Sequence, residues 1–219
     1  MTLASPRIRP APAPKSKETR SAILAAAGRV FAKAGLAGAR TDSIAEAAGV
    51  NKAMLYYYFK SKEGLYEAVV EDHFAEFNRQ ALEVLNGPGS AREVLLRYAS
   101  LHLDFIASRH QSAPLFQQLM MTGGKFLERL IQRYFMPRGK ALEKLIERGI
   151  RGGEFRRVDR FNATISIVSL IVFYFSASRV LEMMGYPNAY SPANLKRRKE
   201  QVLDFIRHGL FSDEKVPQS

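Results

Sequence analysis

From Lys17 to Leu210 the apolar residues return at intervals of three and four rather than two, and helix-breaking residues fall at regular distances between them. That spacing selects helices and leaves no credible strand or hairpin. Ile23, Leu24, Ala27, Val30, Phe31 and Ala34 form one stripe, on a helix of about Lys17 to Ala34 closed by Gly35. A second helix opens at Thr41, read as its N-cap with Asp42 in the first turn, and ends before Gly49. Asn51 caps a third, Lys52 to about Tyr58, and a fourth runs from near Ser61 to about Leu85. The stretch NGPGS then breaks the chain. Ser90 and Glu93 make a capping box for a fifth helix, reaching about Arg109. Pro114 starts a sixth, closed by Gly123 and Gly124, and a seventh spans about Gly124 to Gly149, kinked or split at Pro137. Asp159 caps a long eighth ending at Gly185, and Ser191 with Pro192 opens a ninth to about Leu210. The expected fold is all-α, of about nine helices.

The 219 residues suffice for one well-buried domain, or for a small one joined to a larger. The absence of cysteine excludes a disulfide scaffold and cysteine-ligated zinc, and suits a reducing cytoplasm. The four histidines, at 73, 102, 110 and 208, show no metal-ligand spacing. Net charge is +12, and residues 1–60 carry ten Lys/Arg against three Asp/Glu. More than half of the excess thus lies in the first quarter of the chain. Such a field fits a polyanionic partner, nucleic acid or an anionic membrane, as well as a merely solvated basic face. The first twenty residues lack the apolar segment of a secretory signal. The most apolar run, Ala163 to Ala177, falls short of the roughly 18–20 residues needed to span a bilayer. No membrane association is expected.

The sequence AAGVN joins the second and third helices. Gly49 supplies the left-handed backbone of a sharp turn, and Ala45, Ala47 and Ala48 let two helices approach closely. Ile44, Val50 and Leu55 are spaced to meet beneath that turn. This is the pattern of a helix-turn-helix, although any tight αα-corner shares it. On the third helix, Leu55 and Phe59 face inward, while Tyr56, Tyr57 and Tyr58 fan over about 200° and cannot all be buried. An exposed phenol offers a hydroxyl to phosphate and a ring to a sugar or a thymine methyl. Lys52, Lys60 and Lys62 flank the tyrosines. Tyr58 also reads as a half-buried packing residue.

The stretch TDSIAEAAGVNKAMLYYYFKSKEGLYEAVV resembles the DNA-binding region of the tetracycline-repressor (TetR-type) family of bacterial transcription regulators. The likeness covers about Lys17 to Val70. It implies a helix-turn-helix DNA-binding domain (16–62) and an effector-binding and dimerisation domain (63–211); a disordered basic arm (1–15), in which the chain departs from the family, precedes them and a tail (212–219) follows. By position, Thr41, Lys52, Ala53, Met54, Tyr56, Tyr57, Lys60 and Lys62 form the DNA-facing set. Met54 cannot donate a hydrogen bond, which leaves direct base readout thin. The implied function is a ligand-responsive repressor, cytoplasmic and nucleoid-associated. Its partners are a double-stranded DNA operator, a small apolar or aromatic effector, and a second copy of the chain through the last two helices.

The eighth helix is apolar nearly all round from Ile165 to Phe175, which fits a dimer interface or a central core helix. Pocket candidates by helical position are His102, Phe105, Phe116, Met120, Tyr134, Tyr174 and Arg179, each equally a plain core residue. The extra N-terminal residues, with Arg7, Arg9, Lys15 and Lys17, read either as an arm along DNA or as a solvated tail. No phosphate loop, nucleophile elbow or acid–base cluster appears, so no catalytic residue, metal or cofactor is expected and the chain is not read as an enzyme. The alternative function is a helical adaptor or peripheral membrane protein using the basic N-terminal surface. Against it, no amphipathic helix sets bulky apolar residues opposite lysines.

Overall fold

The computed structural model describes residues 16–109, 119, 123–186 and 188–212. The 1–15 arm, the helix expected at Pro114, the candidates Phe116 and Met120, and residues 213–219 lie outside them. Among the described residues the regular elements are helical, apart from one bridge between Phe155 and Phe211. They are α1 (Ser16–Gly38), α2 (Thr41–Ala48), α3 (Lys52–Phe59), α4 (Lys62–Leu85) and α5 (Ala91–Ser108). After these come α6 (Gly124–Leu130), a π-helical turn (Ile131–Phe135) and α7 (Met136–Arg151), then α8 (Arg160–Ser176), α9 (Ser178–Met183) and α10 (Pro192–Leu210). With Gly124–Arg151 taken as one rod, the described residues hold nine helices.

Local capping chemistry sets most helix starts. The Asn51 side chain accepts from the Met54 amide, Ser61 from Gly64, Asp159 from Asn162 and Ser191 from Asn194, and Ser90 and Glu93 complete the capping box. Two expectations are corrected and a third is located. Thr41 is not the N-cap of α2; it is the first helical residue, and Arg40 holds the cap position with no side-chain bond. The rod expected to kink or split at Pro137 is interrupted by the π turn just before it. That turn carries the helix past the missing amide, with the Met136 amide bonded to the Ile131 carbonyl five residues back. The long helix expected to run to Gly185 breaks at Ala177 (φ −91°, ψ 1°). No proline or glycine causes the break; α9 beyond it has no fully buried residue, so little apolar burial holds it in line with α8.

Two apolar cores share α4. Leu65, Tyr66, Val70 and Phe74 belong to a core with α1, α2 and α3 that also takes in Leu130 and Tyr134. Phe77, Ala81 and Leu85 belong to a larger core with α5, α7, α8 and α10. Glu154 ties the far end together: its carboxylate accepts from the Ala91 and Arg92 amides at 3.0 Å each, satisfying the free N-terminus of α5.

Candidate functional site

The α2–α3 corner closes as a Schellman motif. Gly49 is left-handed (φ 66°, ψ 30°), its amide donates to the Glu46 carbonyl at 3.0 Å, and Val50 donates to Ala45 at 3.0 Å. Beneath it Ile44, Leu55 and Phe59 are buried, with Val50 packed against them. The inward face is thereby committed, and the remaining tyrosines must sort themselves outside it. Tyr57 is 68% exposed and Tyr56 43%. Tyr58 is half-buried, its ring edge-on to Tyr57 at 5.1 Å. Two of the three phenols thus face outward, and the third packs.

The cations on this surface differ in how free they are. Lys52, at the start of α3, donates to Asp42 on α2 at 3.0 Å; this hydrogen bond raises its pKa above the usual lysine value. The contact pins the two helix starts together. Lys60 donates to the Tyr57 carbonyl at 3.2 Å and lies 6.0 Å from the Tyr57 ring centre. It has no carboxylate partner among the described residues. Lys62 is half-buried, and its ammonium donates to the Ala37 and Ala39 carbonyls at 3.3 Å each. In the free protein it therefore secures the end of α1. Thr41 is half-exposed, Ala53 exposed and Met54 half-buried. Arg40 escaped the sequence reading; it is exposed beside Thr41 and unpaired among the described residues. The available signal was a cation directly before the second helix.

A tight connection fixes where α3 points. Lys60 has φ 67° and ψ −42°, and the Ser61 amide donates to the Phe59 carbonyl at 2.8 Å, a γ-turn in the region strained for a side chain. The next turn comes so close that a Cβ on Gly64 would stand 2.3 Å from the Phe59 carbonyl oxygen.

The pocket candidates among the described residues do not converge on one place. His102 and Phe105 are buried around Phe77, at centroid distances of 4.3 and 4.9 Å. Tyr134 is buried on the other core and donates to Glu71 at 3.1 Å. Tyr174 donates to the Ala189 carbonyl at 3.2 Å under the Arg198 guanidinium, and Arg179 is exposed. His73 lies 4.9 Å from Phe105; burial and, secondarily, Arg109 push its pKa down to about 3.

A helix-turn-helix presenting an aromatic, cationic tip on a larger helical body defines a regulator-type architecture. Residues 23–69 match the profile of bacterial regulatory proteins, tetR family, and residues 92–206 match the tetracyclin repressor-like C-terminal domain. The chain belongs to the tetR family. It is 45% identical over 67 residues to the HTH-type transcriptional repressor NicS of Pseudomonas putida, covering 31% of this chain and 32% of that one. It is 37% identical over 115 residues to the HTH-type transcriptional regulator RutR of Escherichia coli, covering 49% and 50%. The chain thus matches a third to a half of the length of these curated relatives. Its fold resembles that of the transcriptional regulator FadR from Bacillus subtilis in complex with stearoyl-CoA, with TM-score 0.68, 24% identity and coverage of 85% and 96%. The family and these relatives are regulators of transcription rather than enzymes. No helix among the described residues is long and apolar enough to cross a membrane.

Proposed function

We propose that this protein is a sequence-specific DNA-binding regulator of transcription, acting in the bacterial cytoplasm as a repressor released from its operator by a small molecule. The observation that carries the reading is the division of α3: Leu55 and Phe59 buried, Tyr56, Tyr57 and Lys60 turned outward beyond the Gly49 turn. Residues 16–62 serve as the DNA-binding unit and 63–211 as the effector-binding and dimerising part. Thr41, Tyr56, Tyr57, Lys60 and Arg40 supply hydroxyls and cations to phosphates, and Ala53 with Met54 supplies apolar contact to bases.

A second copy docks on α8 and α10. Phe161, Ile165 and Phe173 stand exposed on α8 and Phe205 on α10, beside a groove of about 430 Å³ lined by Val158, Leu170 and Leu210. Two copies must hold their recognition helices about 34–36 Å apart to enter successive major grooves. The helix α4 is the lever for that spacing, since it begins at the α3 turn and ends in the larger core. Arg129 and Arg133, on the rod of α6 and the π turn, bind Glu67 and Glu71 of α4 at 2.7 and 2.5 Å. A cavity of about 240 Å³ between α1 and α4, lined by Gly28, Val69 and His73, leaves room for α4 to tilt. An effector that prefers the tilted form weakens DNA binding by its difference in affinity for the two forms. FadR in complex with stearoyl-CoA supports the reading of the larger part as ligand-binding.

The test is selection of bound duplexes from a random library. A two-fold symmetric consensus is expected, and recovery of unrelated sequences in proportion to the input overturns the reading.

A further inference from the structure

Arg138 is 7% exposed, in the first turn of α7; it pairs with no carboxylate among the described residues, and its Nη1 is buried without a hydrogen-bond partner there. Its neighbours are aromatic. The guanidinium carbon lies 4.8 Å from the Phe77 ring centre and 5.2 Å from that of Phe135. The Tyr98 hydroxyl stands close enough to interact weakly with the guanidinium, and it opposes the lowering of the Arg138 pKa by burial. Arginine stays charged even so.

Two half-buried arginines find backbone acceptors: Arg92 donates to the Glu154 and Ser212 carbonyls, and Arg198 to that of Leu170 although its Nε stays unpartnered among the described residues. Arg138 Nη1, the Tyr98 hydroxyl and His102 Nδ1 are buried near one another without a well-formed hydrogen bond among the described residues. Buried polar atoms without partners are costly and rare, so three gathered on two packed helices point to an absent partner. The π turn is what delivers the cation. One residue inserted into a helix rotates everything after it by about 100°, and Arg138 follows that insertion by three positions.

We propose that Arg138, with Tyr98 and His102, forms the recognition point for the carboxylate of a small organic acid whose apolar or aromatic body lies against Phe77, Phe105 and Phe135. One guanidinium among neutral groups matches one negative charge; a phosphate dianion requires more cations. His102 is neutral, because burial and then Arg138 hold its pKa well below 6.5, and in the Nδ1–H tautomer it donates to the same carboxylate. The apolar walls set the body, since Phe77 stacks on His102 and Phe105 on Phe77. This inference rests on the reading of the larger part as the effector-binding unit.

The experiment uses the full chain in thermal-shift and calorimetric titrations with benzoate, phenylacetate, indole-3-acetate and octanoate, each beside its primary amide. At least one carboxylate is expected to raise Tm and bind at least about 30-fold more tightly than its amide, as loss of one partner of a buried charge pair predicts. Arg138→Met is expected to melt no lower than the wild type, because a partnerless charge is removed, and to lose the preference for carboxylate. Arg138→Lys keeps the charge without the fork and is expected to retain a weakened preference. Tyr98→Phe, which deletes only a hydroxyl, is expected to weaken carboxylate binding while duplex binding persists, a readout that does not depend on Arg138→Met folding. No binding of any of the four acids, equal binding of acids and amides, or undiminished discrimination by folded Arg138→Met overturns the proposal. Selected-duplex binding, measured on the same preparations, separates the two readings. Duplex binding without acid binding sinks the site alone, and acid binding without duplex selection sinks the regulator.

Discussion

Lys62 reaches back from the first turn of α4 to donate to the carbonyl of Ala39, 3.3 Å away, just before α2 begins. Its ammonium also donates to Ala37, so one side chain closes the end of α1 against the start of α4. Replacing it with methionine keeps the aliphatic stem and removes both bonds. Because the site is only half-buried, the expected loss is about 1 kcal/mol of unfolding free energy, read as a lower urea midpoint. Operator affinity falls with that loosening, while the log–log salt slope stays within error. A drop of about 0.9 in the slope is the signature of a lost phosphate contact and assigns Lys62 to DNA instead.

The α3–α4 turn stores strain in one place and forbids a side chain in another. Lys60→Gly relieves a left-handed residue (φ 67°) and is expected to stabilise the fold by about 1 kcal/mol. The same change removes an exposed cation beside Tyr57, so operator affinity falls although the protein becomes more stable. Gly64→Ala places a Cβ 2.3 Å from a backbone oxygen that cannot move aside, and a loss of more than about 2 kcal/mol is expected. Denaturant titrations of both variants check the opposite signs.

Two interior histidines make stability depend on pH. Burial, then Arg109, lowers the His73 pKa to about 3, and burial, then Arg138 and His73, lowers that of His102 well below 6.5. Both are neutral in the folded protein, while the unfolded chain takes up protons below 6.5. Their contribution is present above about pH 6.5 and is lost as pH falls below it, down to about 3 for His73. A unit or more below 6.5 each histidine removes about 1.4 kcal/mol per pH unit. Urea midpoints measured from pH 7.5 to 5 are expected to fall steadily below 6.5. A flat profile shows that neither ring is held neutral by burial, and half the expected slope that only one is.

Phe173 is 68% exposed on α8 and Phe205 63% exposed on α10. Burying a phenylalanine contributes about 1.5–3 kcal/mol, and two-fold symmetry counts each ring twice. Phe173→Glu is therefore expected to weaken the dimer by roughly a hundredfold or more with the helical content unchanged. Sedimentation equilibrium reports the mass. An unaltered dimer places the interface elsewhere.

Helix starts were legible because capping is local. Asn51, Ser61, Ser90, Asp159 and Ser191 each accept from an amide three residues on, within reach of any reading of the sequence. The Gly49 corner and its buried Ile44 and Leu55 were equally visible, since a left-handed glycine between two short amphipathic helices leaves few geometries. What escaped depends on distant contacts. Nothing near Lys62 in sequence announces the Ala37 and Ala39 carbonyls, 25 and 23 residues earlier. Arg138 sits between Pro137 and Gly139 in a segment that reads as polar surface, and only the π turn rotates it inward. The break at Ala177, beyond which α9 has no fully buried residue, carries neither proline nor glycine that could announce it.

The central claim is that the outward face of α3 reads a duplex. Fluorescence-polarisation titration of the wild type and Tyr57→Ala, on a selected duplex and on its scrambled counterpart, tests it most directly. The account predicts a wild-type preference of at least about a thousandfold for the selected duplex at physiological salt. It further predicts that Tyr57→Ala erodes this preference while leaving the melting temperature within a degree or two, because Tyr57 is mostly exposed. Equal affinity of the wild type for both duplexes, or an undiminished preference in the variant, contradicts it.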